Sequence, residues 1–224
     1  MEYLNYISSG VKVLIDRSSD FINYYMMSDN DIDETSASTS ASTSTSISNV
    51  DHNTNSEISY KKRIFTPKSK IDQIQTFFSD STHIIDNIYL GSAFNASNYN
   101  LLKKLNIGFV INMTYEISNY YENEIKYKKY GLYDNNKQNI TDYLELAYIE
   151  IIKFQQENPN KNILIHCFMG ASRSASVLSY YLYKKYNYTI NDAIIYIKNK
   201  RDIVNPTVLF YNELCGIEYI DKLK

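Results

Sequence analysis

The stretch that most restricts this chain is residues 162–186, NILIHCFMGASRSASVLSYYLYKKY. Asn162 to His166 is a short apolar, β-branched run, the pattern of a buried strand. Ser174 to Tyr186 places Val177, Leu178, Tyr181, Leu182 and Tyr186 at helical spacing. The seven residues between them, Cys167 to Arg173, must therefore carry the chain from a strand end into a helix N-terminus. Such a loop aims several backbone N–H groups at one point, and the helix dipole adds positive potential there, which suits a phosphate-like anion. Gly170 allows close backbone approach. The same potential favours the thiolate of Cys167 and makes it a nucleophile at neutral pH. Arg173 adds a planar, permanently charged fork for two phosphate oxygens.

A buried Cys beside a buried His is more often packing than catalysis. Here, however, the pattern is HC-x-x-G-x-x-R-S-x-S, with five specified neighbours around the cysteine. At roughly 5% usage each, a chance match is on the order of 10⁻⁶ to 10⁻⁷ per cysteine. No second Cys or His pair lies at ligand spacing, so neither a metal site nor a cofactor is expected. Cys215 reads as an ordinary core thiol.

Around this loop the pattern is α/β. His83 to Leu90 and Ile107 to Asn112 read as buried strands, and Ile125 to Tyr133 as a more polar one. Leu101, Leu102 and Leu105 suit a helix, residues 142–157 a second that stops at Asn158-Pro159, and Thr189 with Asp192 opens another. Strands alternating with helices predict a mostly parallel central sheet flanked by helices, with a partly disordered N-terminal extension. Residues 1–34 carry an apolar stripe of helical period. Residues 35–48, with 11 Ser or Thr in 14 positions, cannot bury enough surface to order themselves. Together with the basic stretch YKKRIFTPKSK, they predict a flexible linker over 35–80, ahead of a domain over 81–224. A net charge of -2 gives no general case for nucleic acid or an anionic membrane, and no apolar run approaches a membrane span. Two cysteines and no secretory signal pattern predict a reducing, cytoplasmic location, extending to the nucleus.

HCFMGASRS resembles the signature of cysteine-dependent protein phosphatases, and residues 83–222 resemble a dual-specificity phosphatase domain of the small, atypical kind. The supporting stretches are IIDNIYLGS (84–92), LNIGFVINMT (105–114), YKKYGLYDNNKQNI (127–140) and AIIYIKNKRDIVNP (193–206). The resemblance implies that Cys167 attacks phosphorus and forms a phosphocysteine. Arg173 and the amides of Phe168, Met169, Gly170, Ala171, Ser172 and Arg173 would bind the phosphoryl oxygens. Ser174 would hydrogen-bond the thiolate, and His166 would orient the loop. Asp134 matches the general acid, with Asp142 as the competing carboxylate. Thr207 and Glu213 depart from the family's usual Asn and Gln.

The uncharged loop residues Phe168, Met169, Ala171 and Ser172 favour a phosphoprotein substrate carrying phosphotyrosine or phosphoserine/phosphothreonine, with mitogen-activated or other signalling kinases as candidates. The rivals are a phosphate-binding pseudophosphatase module and a phosphatase of RNA 5′ ends or phosphoinositides.

Overall fold

The structure, a computed structural model, describes residues 69–134 and 138–224. The expected N-terminal helix, the Ser/Thr-rich stretch and basic residues 60–68 lie outside the described residues.

Strand β5 (Asn162–His166) is central, and its alternation decides the layers. Ile163 and Ile165 enter one apolar cluster, while Leu164 enters another. β3 (Ile107–Asn112) does the same, with Phe109 and Ile111 on the first side and Ile107 and Val110 on the second. Strands buried on both faces read as continuous apolar runs, which is how these two read in the sequence. The remaining strands are β1 (Thr82–Ile85), β2 (Ile88–Gly91) and β4 (Lys126–Lys129), in the order β1-β2-β5-β3-β4. Only the β1–β2 pair is antiparallel; the other three pairings are parallel. The expected sheet is therefore present.

Two strand readings need correction. His83 to Leu90 is not one strand but a hairpin, because Asp86 takes φ +48° and turns the chain with Asn87. Asp and Asn are the residues besides glycine that tolerate this region. The polar strand ends at Lys129 instead of Tyr133. Its neighbours Tyr130 and Leu132 are both buried; the Tyr130 amide still donates to the Asn112 carbonyl at 2.8 Å, and the Leu132 carbonyl accepts from the Tyr115 amide at 3.1 Å, in the loop that follows β3.

The first cluster is covered by α4 (Thr141–Glu157), α5 (Arg173–Tyr186), α6 (Ile190–Lys200) and α7 (Val208–Asp221). The second lies under the short helices α2 (Ala93–Ser97) and α3 (Tyr99–Lys104). Local chemistry sets these limits. Thr189 caps α6 by accepting from the Asp192 amide, and Asn187 ends α5 at φ +56°. Among the described residues no helix is long and apolar enough to cross a membrane.

The linker boundary also moves. Residues 70–78, placed in the linker by composition, form helix α1 (Lys70–Phe78), capped by Ser69. Phe77 is buried and stacks on Phe168, centroid to centroid 5.5 Å. The Ser92 hydroxyl donates to the Phe77 carbonyl at 2.7 Å, and Asn95 Nδ2 to the Ser79 carbonyl at 2.7 Å. The packed domain thus begins by residue 69. A four-residue apolar signal, Ile71, Ile74, Phe77 and Phe78, was outweighed by its polar surroundings.

Candidate active site

The Cys167–Ser172 loop leaves the buried end of β5 and enters α5 at Arg173. Its carbonyls are anchored outward in turn. His166 Nδ1 lies 3.1 Å from the Cys167 carbonyl oxygen, and the Ala93 amide donates to the Phe168 carbonyl at 2.9 Å. Arg201 donates to the Met169 carbonyl from Nη2 and to the Gly170 carbonyl from Nε, each at 3.0 Å. The Asn205 amide takes the Ala171 carbonyl, and the Ser176 amide takes that of Ser172, both at 2.9 Å. In a trans peptide the C=O and the following N–H point opposite ways. Outward carbonyls from 167 to 172 therefore turn the amides of Phe168 to Arg173 toward the loop axis, where α5 begins without a side-chain cap.

Cys167 Sγ lies within this ring, 1% exposed as a residue. It accepts from the Gly170 amide at 3.3 Å and the Ser174 hydroxyl at 3.2 Å, the contact expected of Ser174. Gly170 is required twice over. Its φ is +73°, and a Cβ there would meet the Gly91 carbonyl oxygen at 2.4 Å. The close approach foreseen for this glycine is thus first to the end of β2.

Arg173 is 3% exposed. Its Nη1 donates to Glu116 Oε2 at 3.0 Å and to the Leu132 carbonyl at 2.9 Å, while Nε lies 3.6 Å from Asp134 Oδ2. Burial pushes its pKa down, but Cys167, Asp134 and Glu116 together outweigh that and hold it above the ordinary arginine value. His166 is also buried. Desolvation lowers its pKa to about 4, Arg173 and Lys129 add to this, and only the Cys167 carbonyl opposes. It is a neutral ring at pH 7, fixed to the loop backbone.

Asp134 is brought to the loop: its Oδ1 accepts from the Ser172 hydroxyl at 2.9 Å. Asp142 is exposed on the first turn of α4, where its charge suits the helix dipole. Residues 135–137 lie outside the described residues, but the far end of this segment is anchored. α4 has no side-chain cap of its own; the Glu213 carboxylate accepts from the amides of Ile140 at 2.7 Å and Thr141 at 3.2 Å. Thr207 caps α7 through the Phe210 amide, and its own amide donates to Ser172 Oγ at 3.3 Å. The two departures from the family pattern therefore both hold the surroundings of the loop.

Sequence reasoning missed Glu116 and Arg201 as parts of the site. Glu116 is presented by a loop that Asn112 and Thr114 stitch: Asn112 Oδ1 accepts from the Thr114 amide and hydroxyl, and Asn112 Nδ2 donates to the Ile117 carbonyl at 2.9 Å. Beside the carboxylates, the exposed rings of Tyr115 and Tyr133 stack on each other at 4.4 Å. Only distant folding brings Glu116 to Arg173 and Arg201 to the Met169 and Gly170 carbonyls, so neighbours in sequence gave no signal beyond the INMT and NKRDI stretches themselves.

Residues 88–220 match the family model described as dual specificity phosphatase, catalytic domain. Over 133 residues the chain is 35% identical to Protein phosphatase Slingshot of Drosophila melanogaster, covering 59% of this chain and 12% of that protein. It is 34% identical over 139 residues to human Dual specificity protein phosphatase 6, covering 60% of this chain and 35% of that one. The chain thus spans well under half the length of these relatives. A solved structure of a human DUSP28 variant superposes with a TM-score of 0.60, covering 65% of this chain and 98% of that one; at 19% identity it shows the shared fold. With the match spanning more than half of its residues, the chain belongs to the dual specificity phosphatase catalytic-domain family.

Proposed function

We propose that this protein hydrolyses phosphotyrosine and phosphoserine/phosphothreonine in proteins through a phosphocysteine at Cys167. The observation that carries this reading is the outward anchoring of all six loop carbonyls around one buried thiol, with Arg173 beside it. That arrangement leaves converging amides and a guanidinium for a phosphoryl dianion, and needs no metal to activate the attacker.

In the first step the Cys167 thiolate forms an S–P bond as the P–O bond to the substrate breaks. Asp134, as the carboxylic acid, gives its proton to the leaving oxygen. In the second step the Asp134 carboxylate takes a proton from water as that oxygen attacks phosphorus. The S–P bond breaks, Ser174 hydrogen-bonds the departing thiolate, and phosphate leaves. The trigonal oxygens are held throughout by Arg173 and the amides of Phe168, Met169, Gly170, Ala171, Ser172 and Arg173.

A phosphoprotein is favoured over RNA ends or phosphoinositides because Phe168, Met169, Ala171 and Ser172 bring no charge for further phosphates, and because both similar proteins are named as protein phosphatases. Signalling kinases remain the candidate substrates. Intact Cys167, Arg173 and Asp134 favour turnover over mere capture. The test is phosphate release from a phosphopeptide panel in EDTA, with 5′-phosphorylated RNA and phosphoinositide vesicles alongside. Release from peptides is expected. Release from RNA or lipid alone, or activity that EDTA abolishes and Mn²⁺ restores, would overturn the reading.

A further inference from the structure

Arg201 follows the last residue of α6 and is 2% exposed. It anchors two loop carbonyls but has no part in the bond-making and bond-breaking steps. Besides its two bonds to the Met169 and Gly170 carbonyls, it makes longer contacts to Thr82 Oγ1 at 3.4 Å and to the Thr76 carbonyl of α1 at 3.5 Å. All of these acceptors are neutral oxygens. Among the described residues no carboxylate is in contact with its guanidinium, and Asp202, the carboxylate whose charge acts on it beside that of Cys167, is exposed. Burial lowers its pKa to about 10, against the opposing charges of Cys167 and Asp202, so the group is a cation at neutral pH. A cation enclosed with only neutral acceptors carries a large desolvation cost. Among the described residues, the first of the two acids whose charge acts on it is Cys167, which lies inside the loop whose carbonyls Arg201 holds.

We propose that Arg201 is a second cation of the phosphate site, acting through the loop as a positioning residue. It rests on the reading of this loop as a phosphate cradle. Its fork holds two consecutive carbonyls outward and so aims the Gly170 and Ala171 amides inward. Its charge adds to that of Arg173 on the opposite side of the loop backbone, where Arg173 meets the phosphoryl oxygens directly. The Gly170 position shows how tightly the parts fit, since a Cβ there would lie 3.0 Å from Arg201 Nη2.

The experiment measures inorganic phosphate affinity by calorimetry in the full-length Cys167→Ser protein, alone and with Arg201→Met, Arg201→Gln or Arg201→Lys. Removal of the charge in Met or Gln is expected to weaken phosphate binding about 10- to 100-fold, and Lys to recover most of it. In the Cys167-containing protein the same Met and Gln variants should raise KM more than they lower kcat. A buried arginine that only ties α1 and β1 to the loop would lower the melting temperature in all three variants alike and leave phosphate affinity of the folded protein within about twofold; that result overturns the proposal. Should Arg201→Met not fold, the Gln and Lys pair decides, because both are polar and differ in charge. If the folded Cys167→Ser parent itself binds no phosphate, the cradle reading fails and the proposal falls with it, whereas a parent that binds and Arg201 variants that bind equally well overturn the role of Arg201 alone.

Discussion

At the scale of single residues, the Cys167–Ser172 loop was legible because its pattern is local: strand, cysteine, glycine and arginine follow one another within 12 residues of Asn162. The carboxylates were legible unequally. Asp134 stood out where an alternating strand gave way to a polar segment, whereas Glu116 touches Arg173 only because β3 and β5 are neighbours in the sheet. Proton donation matters in proportion to the charge on the leaving oxygen. Asp134→Asn should therefore cost roughly 10² to 10⁴ in kcat on a phosphothreonine peptide and far less on an aryl phosphate with an acidic phenol. Asp142→Asn should leave both rates unchanged; the opposite pattern would mean that Asp142 is the acid. The stacked pair Tyr115–Tyr133 beside Asp134 offers a wall to an aromatic leaving group. Replacing both with alanine should raise KM for a phosphotyrosine peptide several-fold, about 1 kcal/mol for a lost ring contact, and spare a matched phosphothreonine peptide. Equal losses on both would place the rings outside the substrate path.

At the scale of elements, helices were read well where apolar spacing ran for three turns or more, as in α4, α5 and α6. The hairpin at Asp86-Asn87 was hidden because its two strands are short and both apolar. α1 was hidden by composition, since a nine-residue helix among polar neighbours derives its stability from packing and not from propensity. That packing is consequential: Phe77 lies on Phe168 of the Cys167 loop. A protein beginning at residue 80 would expose Phe168 and lose the bonds to Ser92 and Asn95, so it should be less stable and less active than one beginning at residue 60. Phe77→Ala in the full chain should cost about 3 kcal/mol in urea unfolding. Equal stability of the two truncated proteins would return α1 to the linker. At the other end of the site, Glu213→Ala removes the cap of α4 and should cost about 1 kcal/mol, with Glu213→Gln intermediate in the same titration.

At the scale of the whole molecule, the fold class followed from the alternation of strands and helices, but the order β1-β2-β5-β3-β4 did not, because nothing local states which strands pair. Global stability should carry the mark of His166. Above about pH 6.5 the ring is neutral in both states. As pH falls toward 4, the unfolded chain takes up a proton that the folded site refuses, so stability declines across that window, by roughly 3 kcal/mol in total. Asp86 and Asp221, whose pKa values lie below 3.8, lose their contributions only at lower pH. Urea titrations at pH 7 and 4.5 should differ accordingly, and a His166→Asn variant should lose most of the difference. Holding Cys167 as a nucleophile toward phosphorus is the role proposed for this fold, and a rapid-mixing quench reads it at the sulfur itself. Enzyme mixed with a phosphotyrosine peptide, denatured in alkali within milliseconds and digested, should yield the peptide containing Cys167 heavier by one phosphoryl group. The Ser174→Ala variant should accumulate more of it. Product release with no phosphoryl group on Cys167 at any mixing time, in either protein, would mean that Cys167 is not the nucleophile.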